Sequence, residues 1–232
     1  MNPTLLHIES SAQVASRSLT RQLGARFLAE WRSAHPASTV IRRDLATDPV
    51  GPVDADWIAA AFTPPEDRTG VMRQRLELSD RLIAEIEAAD VIVMGVPMYN
   101  YGVPGALKCW IDQTARIGKT FSFDLARGDV PIEGTLSGKT LVVLSARGEF
   151  GFGPGGMREH MNALDRHLAA CAHYWGVSRE AIHSVIVEYQ EFKDERFAIS
   201  LRRAQEDVVE LARETAQALN DRQSWQLGAM PT

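Results

Sequence analysis

The most constraining stretch of this 232-residue sequence is an unbroken apolar run, VIVMGV, from Val91 to Val96. Such a run reads as a strand buried on both faces, which is the signature of a parallel sheet covered by helices. Shorter apolar runs recur along the chain. Thr4 to Glu9 reads as a first strand, Val40 and Ile41 as a second that ends at Arg42, Arg43 and Asp44, Thr140 to Ser145 as a fourth, and Ser184 to Val187 as a fifth. Helical periodicity separates them. Five strands alternating with helices predict an α/β fold, a parallel sheet with helices on both faces.

The helices are read from their spacing. One passes through Leu19, Leu23, Phe27, Leu28 and Trp31 and stops near His35-Pro36. A Pro-, Asp- and Ala-rich connection, Leu45 to Pro65, holds one helical turn near Asp56 to Phe62. A second helix carries Leu76, Leu78, Leu82, Ile83 and Ile86, and a third runs from about Pro104 to Ile117 with Leu107, Trp110 and Ile111 inward. Gly118 to Gly138 predicts a small β excursion, in which Phe121 and Phe123 are equally suited to core or to a pocket wall. A further helix carries Met161, Leu164, Leu168, Cys171 and Trp175 and is closed by Gly176. A long last helix covers about Asp194 to Arg222. One domain is expected over residues 1–222, followed by an aperiodic tail, 223–232.

Composition excludes several functions. A net charge of −5 and no basic run argue against nucleic-acid binding. No apolar run approaches the roughly 18 residues of a membrane span, and the N-terminus lacks the basic and apolar segments of a signal peptide. The two cysteines, Cys109 and Cys171, have no CxxC spacing and read as buried reduced thiols, which fits a cytoplasmic protein. His160, His167 and His173 are expected on one helix, but they form no HExxH or HxxxH, so no metal site is expected. Neither a GxSxG elbow nor a GxxxxGK[ST] phosphate loop is present.

Chemistry is expected at the carboxyl ends of the strands, where open α/β sheets bind ligands. After the first strand, Ser10, Ser11, Ser16 and Ser18 cluster with Arg17 before a helix. Helix N-termini favour anions, and hydroxyls with a guanidinium match phosphate oxygens, although a plain serine cap in a solvated loop explains the same residues. After the third strand comes PMYNYGVP, Pro97 to Pro104. Its prolines stiffen it, Tyr99 and Tyr101 offer flat faces, and Asn100 offers donors and acceptors, so it reads as a cradle for a planar, polar-edged ring. In a doubly wound sheet of order 2-1-3-4-5 the carboxyl ends of strands one and three flank the switch point, so these two loops would face one crevice. After the fourth strand, SARGEFGFGPGG contains a chance GxGxxG at Gly151, Gly153 and Gly156, too far from its strand for a dinucleotide site. Gly148 is the more useful glycine there, because it lets the backbone approach a ligand ring.

These residues resemble the FMN-dependent NADH-azoreductase and NAD(P)H:quinone oxidoreductase family, and the resemblance implies a flavodoxin-like α/β fold, a doubly wound five-stranded parallel sheet of order 2-1-3-4-5 with helices on both faces. The resemblance runs from about Leu5 to Val187. PMYNYGVP resembles the family's flavin-side segment, and Ser10 with Ser16-Arg17-Ser18 resembles its phosphate loop. Thr120-Phe121 and Leu136 to Lys139 add to the likeness. Ser145-Ala146-Arg147-Gly148-Glu149 departs from the family's Ser/Thr-Arg-Gly-Gly pattern. The resemblance implies one FMN per subunit, held by Ser10, Ser16, Arg17, Ser18, Pro97, Met98, Tyr99, Asn100, Tyr101, Ser145, Ala146, Arg147 and Gly148. It also implies NADH or NADPH as donor, quinones or aromatic azo compounds as two-electron acceptors, ping-pong turnover and a homodimer. No side chain is expected to act as catalytic acid or base. The alternative is a flavodoxin-like electron carrier or flavin-binding module that serves a protein partner.

Overall fold

A computed structural model of the chain describes residues 2–228. In chain order the elements are β1 (Thr4–Glu9), α1 (Leu19–Ala34), β2 (Thr39–Asp44), α2 (Ala55–Phe62), α3 (Gly70–Ala88), β3 (Val91–Pro97), α4 (Gly105–Thr114), β4 (Phe121–Phe123), β5 (Ile132–Gly134), β6 (Lys139–Ala146), α5 (Ala163–Cys171), β7 (Val177–Val187) and α6 (Glu195–Gly228). One parallel sheet has the order β2-β1-β3-β6-β7, which is 2-1-3-4-5 when its own strands are counted. β4 and β5 form a separate antiparallel ribbon inside the expected β excursion.

Alternation along the strands divides the core in two. Leu6, Ile8, Ile92, Met94, Val96, Leu141 and Val143 pack with Leu82 and Ile86 of α3, Leu107, Trp110 and Ile111 of α4, and Leu164 and Leu168 of α5. The other face sends Leu5, Val91, Val93, Val142, Leu144, Val185 and Val187 against Leu23, Phe27 and Trp31 of α1 and Ala204, Val208 and Ala212 of α6. Helices therefore cover both faces. Each buried large aliphatic side chain contributes about 1.5–3 kcal/mol, so these two layers dominate stability.

Several expectations are corrected. β7 starts at Val177, well before Ser184, because its polar first half lies on the sheet edge and the pairing slips between Lys139 and Leu141. Solvated residues on an edge strand leave no apolar run to read. The helix expected from Met161 to Trp175 is α5 alone, with 3-10 turns at Glu159–Met161 and Ala172–Trp175, so His160 and His173 flank it. α4 stops at Thr114. α6 continues past Arg222 to Gly228, into the stretch expected as an aperiodic tail, and residues 229–232 of that stretch lie outside the described residues. Cys109 and Cys171 are free and half-buried, not fully buried. Phe121 packs half-buried against Tyr174 at 5.2 Å, while Phe123 is exposed. No helix among the described residues is long and apolar enough to cross a membrane.

Two predictions follow from the packing. Gly176 closes the turn before β7 at φ +76°, and a Cβ there would stand 2.7 Å from the Ser137 nitrogen, whereas Gly138, also at +76°, has open space. Gly176→Ala is expected to cost about 2 kcal/mol or more and Gly138→Ala about 1, read from urea midpoints. Equal losses would show that packing at Leu136-Ser137 is immaterial. The second concerns His7, buried beneath α1, with its pKa lowered from 6.5 to about 4 by burial and by the Arg42 and Arg21 guanidiniums. The unfolded chain then takes up this proton first, so stability is full above pH 6.5 and falls by up to about 3 kcal/mol toward pH 4. Glu9, raised by burial, opposes this slope. His7→Gln should flatten or reverse the slope; an unchanged slope would exclude His7 as its source.

Candidate functional site

Three loops meet at the carboxyl end of the sheet. The first leaves β1 at Ser10, whose amide and hydroxyl both donate to the Gly95 carbonyl, at 3.1 and 2.7 Å. This double clip ties the start of the loop to β3. The loop then turns on the Val14 carbonyl, which accepts from Arg17 and Ser18, and Ser18 caps α1 by accepting from the Arg21 amide at 3.3 Å. Beneath it the Arg21 guanidinium pairs with Asp44 at 2.7 and 2.8 Å, touches the Glu9 carboxylate and donates to the Ser11 carbonyl at 2.9 Å. That hydrogen bonding holds the Asp44 carboxyl below its usual range. A planar fork with five donors can join two strand ends and a loop carbonyl at once, which a lysine cannot do. Arg17 is exposed and has no ion-pair partner among the described residues.

The second loop follows β3. Met98 donates to the Ala146 carbonyl at 2.9 Å, and Tyr99 and Gly102 exchange both backbone hydrogen bonds at 3.1 Å. Asn100 and Tyr101 between them have φ of +48° and +68°, the handedness of a type I′ turn. Asparagine tolerates this conformation and tyrosine does so at a cost. The Tyr101 carbonyl offsets that cost by accepting from Ala163 and Leu164, both at 3.1 Å, at the start of α5. The Tyr99 hydroxyl accepts from the Ala12 amide at 3.3 Å and so joins the first two loops.

The third wall follows β6. Arg147 is 1% exposed, and its guanidinium reaches both Asp165 oxygens, at 2.7 and 2.8 Å. Asn162 donates to Asp165 at 2.6 Å and to the Phe152 carbonyl at 3.0 Å, so the start of α5 organises this loop as well as the second. Gly148 lies against the loop after β7, where a Cβ would stand 2.9 Å from Cγ of Glu191.

The loops enclose a cleft of about 280 Å3. Of the residues expected to hold a cofactor, Arg17, Ser18, Pro97, Met98, Tyr99, Ala146 and Gly148 line it. Ser10, Ser145 and Arg147 are buried one layer back, and Ser16, Asn100 and Tyr101 stand outside its lining. The Arg147 side chain is committed to Asp165, so its part is to hold the loop. Ser11, Gln13, Leu19 and Thr20 also line the cleft and could have been read by taking the whole β1–α1 connection. Gln190 and Glu191 line it too; only the rule that ligands meet every strand's carboxyl end pointed to them. Among the described residues no group of three or more His, Cys, Asp or Glu is placed to hold a metal ion.

The donor set suits a phosphate ester joined to a flat ring. A free guanidinium and the open first turn of α1 stand at one part of the cleft, and an aromatic face, a small Ala146 and a glycine border another.

Known proteins share the fold and much of the sequence. The family described as having a flavodoxin-like fold matches residues 3–211. An FMN-dependent NADH:quinone oxidoreductase 2 of Idiomarina loihiensis is 43% identical over 224 residues, covering 94% of this chain and 92% of the relative. A protein of the same name from Colwellia psychrerythraea is 46% identical over 217 residues, covering 91% and 98%. Among solved structures, an FMN-dependent NADH-azoreductase from Bacillus anthracis, in complex with FMN, superposes with a TM-score of 0.79 at 19% identity, covering 92% of this chain and 99% of the other, and shares the fold. By its match to the fold family and its identity to these relatives along nearly their whole length, the chain belongs to the flavodoxin-like family of FMN-dependent NADH:quinone oxidoreductases.

Proposed function

We propose that the protein is a cytoplasmic, homodimeric oxidoreductase that uses one FMN per subunit and NADH or NADPH to reduce quinones and aromatic azo compounds. The observation that carries this reading is the cleft itself. It brings Arg17 and the first turn of α1 together with Met98, Tyr99 and Gly148. Bound there, FMN would supply the two-electron redox chemistry that links nicotinamide to acceptor, in ping-pong turnover.

The chain's own residues bind, orient and tune. Arg17 and the amides of Leu19 and Thr20 would hold the phosphate, by charge and by the helix N-terminus. Ser18 serves by capping that turn, since its hydroxyl already accepts from Arg21. Pro97, Met98 and Tyr99 would border the ring, kept in place by the Met98–Ala146 and Tyr99–Gly102 hydrogen bonds. Asn100 and Tyr101 would act through the turn they form. Ala146 and Gly148 leave room for the ring, and the Gly148 amide is a donor for negative charge on its edge. Ser10, Ser145 and Arg147 would support these contacts from behind. Of the two hydrogens that the acceptor gains, one would derive from the nicotinamide hydride and the other would be a proton from solvent.

The purified protein is expected to be yellow and to oxidise NADH with a soluble quinone and no added protein. A colourless protein that ignores added FMN would overturn the reading. A flavin-loaded protein inert toward both nicotinamides would mark an electron carrier instead. Arg17→Ala should weaken FMN about tenfold while leaving riboflavin, which lacks the phosphate, little changed; equal losses would place Arg17 in folding alone. Asn100→Gly should keep FMN affinity and Asn100→Ala should lower it, because the position needs a left-handed backbone. Equal losses in both would indicate instead that the amide side chain touches the ring.

A further inference from the structure

The loop after β7, from Glu188 to Lys193, is not explained by the motifs of the first two loops. Its backbone is joined to the loop after β6 by three hydrogen bonds: Tyr189 to the Glu149 carbonyl at 3.1 Å, Gln190 to Arg147 at 3.2 Å and Glu191 to Gly148 at 3.1 Å. Tyr189 and Lys193 hold φ of +63° and +54°, which cost energy in residues that carry a Cβ. Packing imposes that shape. The Tyr189 ring stacks on Phe150 at 4.5 Å, and Phe192 meets both rings edge-on at 5.7 and 5.8 Å. Arg158 covers Phe150 and Arg196 covers Phe192, each at 4.8 Å. Aromatic pairs of this kind add about 0.5–1.5 kcal/mol each beyond their buried area, enough to fix a short loop.

What the clamp delivers to the cleft is Glu191. Its side chain lines the cleft and lies over Gly148, in the space that a Cβ there would need. The neighbouring arginines are engaged elsewhere, while Lys193 of the same loop is exposed and has no ion-pair partner among the described residues. Arg158 pairs with Glu149 at 2.9 Å, Arg147 with Asp165, and Arg196 with Asp194 at 2.6 Å. Glu188 accepts from the amides of Gly151 and Phe152 at 3.1 and 3.4 Å, which adds a second carboxylate and no cation. Glu191 has no ion-pair partner among the described residues. The cleft is thus electrically polarised, with Arg17 by the first turn of α1 and Glu191 by the carboxyl end of β6.

We infer that Glu191 is a specificity-determining residue: its carboxylate beside Gly148 favours uncharged electron acceptors over anionic ones and lowers the reduction potential of the bound flavin. The inference rests on the FMN reading above. A phosphate at Arg17 neutralises the cation and leaves the anion to set the field where electrons are exchanged. A fixed negative charge disfavours further negative charge nearby, on the reduced ring or on a sulfonate carried by the acceptor. Glu191 makes and breaks no bond. The nicotinamide is oxidised, the quinone gains two electrons and two protons, and the carboxylate changes only the energy of those states.

The test uses the native holoenzyme with Glu191→Gln and Glu191→Asp, a neutral naphthoquinone and its sulfonated analogue. FMN affinity, flavin midpoint potential and KM for each acceptor are measured at low and high salt. Glu191→Gln should raise the potential and lower the KM of the sulfonated relative to the neutral quinone by roughly three- to tenfold at low ionic strength. High salt should erase that difference, and Glu191→Asp should keep the native pattern. In the native protein alone, salt should improve the sulfonated acceptor and leave the neutral one unchanged. A native protein that takes up no FMN refutes the reading and this inference together. A native holoenzyme that shows no salt-dependent discrimination, or a flavin-loaded Glu191→Gln with unchanged potential and KM ratio, refutes this inference alone. So does an equal shift in the Asp and Gln variants, which would trace to a disturbed loop.

Discussion

The structure depends on the double burial of β3. Val91 to Val96 are all inaccessible to solvent, and β3 is hydrogen-bonded to β1 on one side and β6 on the other. A parallel strand in that position cannot be reached by a tight hairpin, so each connection must be a crossover, and each crossover places a helix on the sheet. Alternate residues of β3 then demand apolar partners on opposite sides. Ile92 and Met94 find the α3, α4 and α5 layer, and Val91 and Val93 find α1 and α6. The chain reverses its winding beside β3, and the loops after β1 and β3 diverge there to leave a crevice.

That crevice becomes a defined site through buried polar clamps, not through the apolar core. Arg21 binds the ends of β1 and β2 to the Ser11 carbonyl. The start of α5 serves two walls together: Asp165 and Asn162 hold Arg147 and Phe152, while the Ala163 and Leu164 amides hold Tyr101. Buried charges left unpaired would cost several kcal/mol, so these networks favour one loop arrangement strongly over its alternatives. Affinity for a rigid, planar ligand requires such preorganisation, since a loop that must order itself on binding spends binding energy in doing so.

Much of this was legible from the residues alone. The five strands and the loops at their carboxyl ends follow from apolar runs and their alternation with helical patterns, while the strand order follows from the family resemblance. The polar half of β7 was not legible, because an edge strand need bury only one face, and Ser178, Arg179 and Glu180 are solvent-exposed. A sequence sets the order of residues in a loop and not the direction of their side chains, so the burial of Ser10, Ser145 and Arg147 is visible only in the fold. Ser10 turns toward Gly95 and Arg147 toward Asp165. Asn100 has a left-handed backbone, which a polar residue among aromatics does not by itself announce.

The sequence by itself determined the fold class and pointed to the loops that form the candidate cleft, because side-chain periodicity and short loop motifs are local properties that survive without coordinates. Only the tertiary structure decided which residues of those loops line the cleft, and that the loop after β7 forms part of its wall. Glu191 reaches Gly148 through an aromatic stack joining residues as distant in sequence as Phe150 and Phe192. Contacts of that separation have no periodicity to announce them. They exist because β6 and β7 are neighbours in the sheet, so their carboxyl-end loops are held side by side and their charges share one field.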